Sequence, residues 1–255
     1  MPVPRGNTGP AAIRGAGPTV GGVEVGAGVG LRARIALTAP AVRAVTERLW
    51  RAEGLPERYA EYLVVMHGVV RASVPLLERA AERCALLGPG DPSAGPLERY
   101  FRAHAERERG HDDWLLADLT ALGGERAAAT AVDRQPPPSV ARLVGAQYYW
   151  VEHHHPVALL GHVAVLEGHA PAPRLAERII AAGVPRAAVR TVRDHAELDG
   201  DHVAVLHDLL DALPLTPALR YAVTASALHT VDGLTELFAR IGRTPRPYDR
   251  TRGGT

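Results

Sequence analysis

The segment His195-Ala-Glu-Leu-Asp199-Gly-Asp-His202 decides how the rest of the chain is read. His195, Asp199 and His202 stand at relative positions 0, 4 and 7. On an α-helix these offsets fall within roughly 60° of one another, on one stripe of the surface. The spacing recurs upstream, where His104, Glu108 and His111 again occupy positions 0, 4 and 7. Two helices that each turn two imidazoles and a carboxylate toward a shared interior form a nitrogen/oxygen metal site of the kind helical bundles build. Without thiolates, that donor set suits iron or manganese and disfavours soft metals and iron–sulfur clusters.

Outward from these two segments the pattern is helical almost without interruption. Thr38 and Pro40 read as the cap and first turn of a helix to about Ala52, with Val42, Val45 and Leu49 on one face. A second helix is expected from about Pro56 to Leu87, bent at Pro75, and a third from about Pro96 to the Gly123-Gly124 stop. Pro136-Pro137-Pro138 precedes a fourth from about Ser139 to Gly168, and a short helix ends near Ala182. Pro185 and Pro217 open the last two. No stretch alternates with the period of a strand. The expected fold class is all-α, a single bundle of about seven helices over residues 37–242. A Gly/Pro-rich leader (1–36) is expected to be disordered, and a loose tail (243–255) follows.

Composition removes several function classes. The chain has 255 residues and 46% hydrophobic content, enough for a core, and a net charge of +1, too small for an electrostatically driven nucleic-acid binder. Its single cysteine, Cys84, allows no internal disulfide, which fits a reducing cytoplasm. No uninterrupted apolar run approaches the roughly 20 residues of a membrane span. The basic residues are all arginine, a compositional bias with little functional content. The expected partner is therefore a small molecule, with neither nucleic acid nor membrane; a homodimer is left open.

A further carboxylate is expected from the helix between the two triplets. Glu167 closes an otherwise apolar run from Val157 and would be costly to bury without a partner. Glu152, beside His153-His154-His155, is its competitor. Three consecutive histidines on a helix point three ways, so at most one, His153 being the candidate, lines a pocket. His67, in an apolar helix, reads as a buried hydrogen-bonded group before a substrate contact. Arg71 has the fork to hold a carboxylate, and Tyr149 the ring to wall a pocket. His162, His169, His207 and His229 receive no role.

The His-x3-Asp-x2-His pattern of His195, Asp199 and His202 resembles the haem-oxygenase-like diiron oxidases and oxygenases, also described as iron-containing redox enzymes. Glu167 falls where that family's middle-helix glutamate is expected. His111 matches the histidine of its first metal helix, and Glu108 the carboxylate one turn before. The resemblance spans about Pro56 to Leu237 and implies a haem-oxygenase-like bundle, a fold shared with thiaminase II-like proteins. It also implies two ferrous ions and dioxygen as co-substrate, acting on an amino acid, amine or fatty-acid-like molecule by N-oxygenation, C–C cleavage or desaturation in specialised metabolism. One departure stands out. Members with Glu-x6-His on the first helix carry a glutamate where this chain has His104, so either Glu108 takes the bridging role or the second iron site is altered. The alternatives are a metal-free thiaminase II-like or cofactor-maturation enzyme, and a non-catalytic protein binding iron or a small ligand.

Overall fold

The computed structural model describes residues 19–20, 23–24, 26–169, 171–172 and 174–243; the side chains of residues 19–24 and 197–202 are outside that description. Two short strands, β1 (Thr19–Val20) and β2 (Val23–Glu24), pair antiparallel. Among the described residues the later α-helices are α1 (Ala27–Leu49), α2 (Leu55–Val70), α3 (Ser73–Leu87), α4 (Ala94–Glu108), α5 (His111–Gly123), α6 (Glu125–Asp133), α7 (Pro138–His153), α8 (Leu159–Glu167), α9 (Leu175–Ala181), α10 (Arg190–Ala212) and α11 (Pro217–Gly242). The all-α expectation holds, and the larger number of helices comes from breaks inside stretches that the sequence pattern joins.

Each break has a local cause. The expected third helix splits at Gly110, whose φ of 86° is left-handed and open to glycine without a Cβ penalty. The expected fourth splits before Pro156, which disfavours the helical region for the preceding residue; His155 is extended at φ −150°, ψ 133°. The expected second splits at Arg71-Ala72, leaving Pro75 in the first turn of α3, where a missing N–H costs nothing. Residues 55–90 together are apolar and long enough for a membrane span, but α2 and α3 have 16 and 15 residues. Each falls short of the roughly 20 that a crossing needs.

The first helix begins at Ala27, so residues 27–36 belong to the bundle rather than to a leader. Thr38 lies inside that helix, donating its hydroxyl to the Ile35 carbonyl at 2.6 Å, and is not a cap. Residues 1–18, on which the rest of the leader expectation falls, lie outside the described residues. So does the tail from residue 244.

At the centre runs α8, in which Leu159, Leu160, Gly161, His162, Val163, Ala164 and Val165 are all buried. A helix apolar on every side is one enclosed on every side. It lies against α11, which packs in turn on α1 and α7, while α10 flanks both α1 and α8. The helix pair α3 and α4 closes one side, and α2 meets α5 on another. Asp118, fully buried on α5, anchors the start of α10 by accepting from the backbone N–H groups of Arg190 (3.1 Å) and Thr191 (2.9 Å).

Candidate metal centre and cavity

The packing of α8 against its neighbours leaves a cavity of about 130 Å³. Its wall is largely apolar, including Met66, Leu77, Leu115, Val163 and Leu234, with the rings of Tyr62 and Phe238. Its polar groups are His104, Glu108, Glu167 and His195, together with His162, His169, Ser73 and Thr191.

His104, Glu108 and Glu167 present one donor atom each, all within 4.8 Å of one another. The last turn of α4 supplies the first two, and the last residue of α8 the third. His104 Nε2 lies 3.2 Å from Glu167 Oε1 and 4.0 Å from Glu108 Oε1. His111 belongs to a different helix from the other two members of its triplet, because Gly110 breaks the chain between them. As the first residue of α5 it still faces Glu108, with Nδ1 3.3 Å from Oε2. His195 comes in from α10, its ring centre 5.1 Å from that of His111. Trp114 packs against both rings, at 4.1 and 5.8 Å, under the guanidinium of Arg190.

Five of the seven sequence-identified metal residues therefore converge on one end of the cavity. The other two, Asp199 and His202, lie outside the described side chains. Glu152 is settled elsewhere: it is paired with Arg79 and Arg83 at the bundle surface. The four substrate candidates are not in the cavity. His67 is buried beside Gly68 and Arg71 in a separate small recess, and Arg71 is exposed. Tyr149 is 60% exposed, and His153 is exposed in the last turn of α7. The helix break before Pro156 separates these residues from α8, so they do not continue its inward stripe. His155 is a fastener, accepting from Val157 N–H and paired with Asp91 at 2.9 Å. Tyr62, Phe238, His162 and His169 were not identified from sequence. Only the placement of the two histidines on or beside the apolar α8 run carried a signal for them.

Electrostatics mark the cluster as one that holds negative charge. Burial by itself raises the Glu108 carboxyl, but His111 first, then His104 and His195, outweigh it and hold it below the ordinary carboxylate range. The imidazoles differ in tautomer. His195 donates Nδ1–H to the Thr191 carbonyl at 2.9 Å, which leaves the Nε2 lone pair available. That is the arrangement of a metal-ligating histidine. His104 instead accepts at Nδ1 from Arg107 (3.4 Å), so Nε2 carries the proton and points it at Glu167. His111 Nδ1 is buried with Glu108 Oε2, 3.3 Å away, as its ion-pair partner. Two carboxylates and an imidazole whose donor atoms lie within 4.8 Å of one another, beside the oriented imidazole of His195, fit a divalent metal.

In the cavity wall, His162 is 5% exposed and bonded through Nδ1 to Thr230 Oγ1 at 3.0 Å. Burial, and secondarily His229, push its pKa down to about 3. The unfolded chain takes up that proton near pH 6.5 and the folded chain does not, so stability is lost as pH falls below 6.5. By pH 5 the loss from this group is about 2 kcal/mol. Urea unfolding at pH 7.5 and pH 5 should show the midpoint falling, and a His162→Gln variant should show a shallower fall. Equal midpoints at the two pH values would refute the assignment of a neutral buried imidazole.

These features define a class: a single helical bundle with a histidine–carboxylate cluster facing an internal apolar cavity. The fold matches a domain of unknown function with a heme oxygenase-like fold from Shewanella denitrificans OS217, with a TM-score of 0.69 at 16% identity over 83% of this chain and 90% of that one. It also matches a TenA homolog from Pseudomonas syringae pv. tomato, with a TM-score of 0.63 at 13% identity over 83% and 91%. Residues 102–234, just over half of the chain and the part that carries His104 to His202, match the family described as iron-containing redox enzyme; the chain belongs to that family. No functionally curated protein matches the sequence.

Proposed function

We propose that this protein is a non-haem diiron oxidase or oxygenase that reduces dioxygen to oxidise a small, mainly apolar substrate held in the cavity. The observation that carries the reading is the convergence of His104, Glu108 and Glu167 within 4.8 Å at the cavity wall, with His111 and His195 beside them. Glu108, Glu167, His111 and His195 would hold the iron, and Asp199 and His202 extend the α10 motif that supplies His195. His104 would join them only as the other neutral tautomer, with its proton on Nδ1 and the contact from Arg107 given up, since a ligating nitrogen must present its lone pair. Until then it orients the Glu167 carboxylate.

Ferrous iron bound in this site supplies the electrons for dioxygen chemistry. The chain supplies the rest. The apolar walls exclude bulk water from the reacting end and align the substrate body. The Thr191 carbonyl fixes the ring of His195, and Trp114 fixes the rings of His195 and His111 against each other. The neighbouring imidazoles keep Glu108 ionised, so no proton has to leave this carboxyl when a cation arrives.

Ferrous binding under anaerobic conditions tests the reading. Two equivalents are expected, with Glu167→Ala and Asp199→Ala each losing at least one while keeping the helical circular-dichroism spectrum. Uptake below about half an equivalent by the folded wild-type chain would refute the diiron site and favour a metal-free enzyme on this fold.

A further inference from the structure

A second polar feature of the cavity is His162. His162 on α8 is joined to three side chains buried between α7 and α11. Thr230 donates its hydroxyl to the Ser226 carbonyl at 2.8 Å. Its single proton is thereby used, and the oxygen can only accept from its other neighbours. Gln147 Nε2 donates to it at 3.4 Å, and Ser226 Oγ donates to Gln147 Oε1 at 2.9 Å. The contact between His162 Nδ1 and Thr230 Oγ1 is consequently an N–H donated by the imidazole. Nε2 is left as a bare lone pair, with no partner among the described residues, on a side chain that lines the cavity.

We propose that His162 Nε2 is the polar anchor of the cavity's ligand, and that the ligand is an apolar molecule carrying an uncharged hydrogen-bond donor, a hydroxyl or amide N–H. A carboxylate headgroup offers only lone pairs to this nitrogen and is not accepted there. An ammonium group would have to bury its full charge against a neutral partner, at a far higher desolvation cost than a hydroxyl pays. Burial keeps His162 from gaining the proton that would turn it into a carboxylate donor. His169, half-buried in the same wall, is fixed in the same sense: its Nδ1–H is donated to the Val165 carbonyl at 2.7 Å. The preference for a donor head group is set at His162, where geometry leaves only a lone pair.

The inference narrows the substrate class of the iron-oxidase reading and rests on the cavity being that enzyme's substrate site. Its test uses the iron-free full-length chain, with iron uptake measured separately, so that either can fail alone. The probes are the isomers 1-hexanol and methyl pentyl ether, which share a formula and differ in having or lacking an O–H. Calorimetric titration of the wild-type chain should show hexanol binding about tenfold more tightly than the ether. His162→Phe should abolish that preference while still binding both isomers. In long-range proton–nitrogen spectra of the wild type, His162 should carry its proton on Nδ1, and the bare Nε2 resonance should move with hexanol only. This second measurement needs no variant. Equal wild-type affinities, binding of neither isomer, a preference that survives in His162→Phe, or a protonated Nε2 would each overturn the proposal.

Discussion

Substituting alanine at Gly161 is expected to cost more than about 3 kcal/mol, enough to leave a protein of ordinary stability partly unfolded at 37 °C. A Cβ at this position would stand 2.0 Å from the Val223 carbonyl oxygen and 2.8 Å from the Ala227 amide nitrogen, both backbone atoms of α11. Neither can move without shifting the helix. In an open helix the same change gains up to about 1 kcal/mol from helix propensity, so the steric term must exceed that gain several-fold. Gly233 provides the comparison: a Cβ there meets a terminal methyl of Leu143 at 2.8 Å, a side-chain group that can yield further than a helix backbone. Urea unfolding of the two variants should separate them clearly. A Gly161→Ala midpoint within experimental error of wild type would mean that α8 and α11 are not in backbone contact.

The second large effect is expected at Asp118. Its two carboxylate oxygens take the N–H groups of Arg190 and Thr191, the first two residues of α10. Alanine would leave both donors without their partner in a largely dry setting, at about 2–4 kcal/mol for the pair. Burial raises the Asp118 carboxyl, with the hydrogen bonds from Thr191 and Arg190 opposing it. Asparagine restores little: one of its two ends is a donor and would face another donor. Because His195 is held by the Thr191 carbonyl, the loss should appear twice, as a lower unfolding midpoint and as weaker ferrous binding. An Asp118→Ala protein with reduced stability but full iron affinity would show that α10 keeps its position through packing alone.

The parts of the site visible in the sequence were those carried by residue type and spacing. The two His/carboxylate triplets and Glu167 could be found because charged and imidazole groups in apolar or periodic surroundings need partners. His104, Glu108 and Glu167 do converge, and His111 and His195 lie beside them. What spacing could not reveal was continuity. Arg107 to His111 reads as uninterrupted helix by pattern, yet Gly110 adopts a left-handed conformation there, one that glycine takes as readily as the helical one. The same holds at His153-His154-His155, where Pro156 ends the helix and turns two of the three histidines to solvent. Glu152 and Glu167 are equivalent as sequence symbols. Only the positions of Arg79 and Arg83 separate the surface carboxylate from the cavity one. His162 was invisible for the opposite reason: a histidine inside an apolar helix has many innocent explanations, and its hydrogen-bond partner Thr230 lies 68 residues away.

The break at Gly110 also bears on how the site comes into being. The α3–α4 pair is local in sequence and can form early, but it contributes only His104 and Glu108. His111 depends on α5 packing against α2, Glu167 on α8 being enclosed by α11, and His195 on α10 being anchored from α5. Contacts so distant in sequence form late, after the loops that join them have closed. A half-folded chain in which only the α3–α4 pair has formed therefore lacks the groups that α5, α8 and α10 bring to the cluster. The complete donor set exists only in the finished bundle, so a metal bound as proposed would be held only once the walls around it are in place.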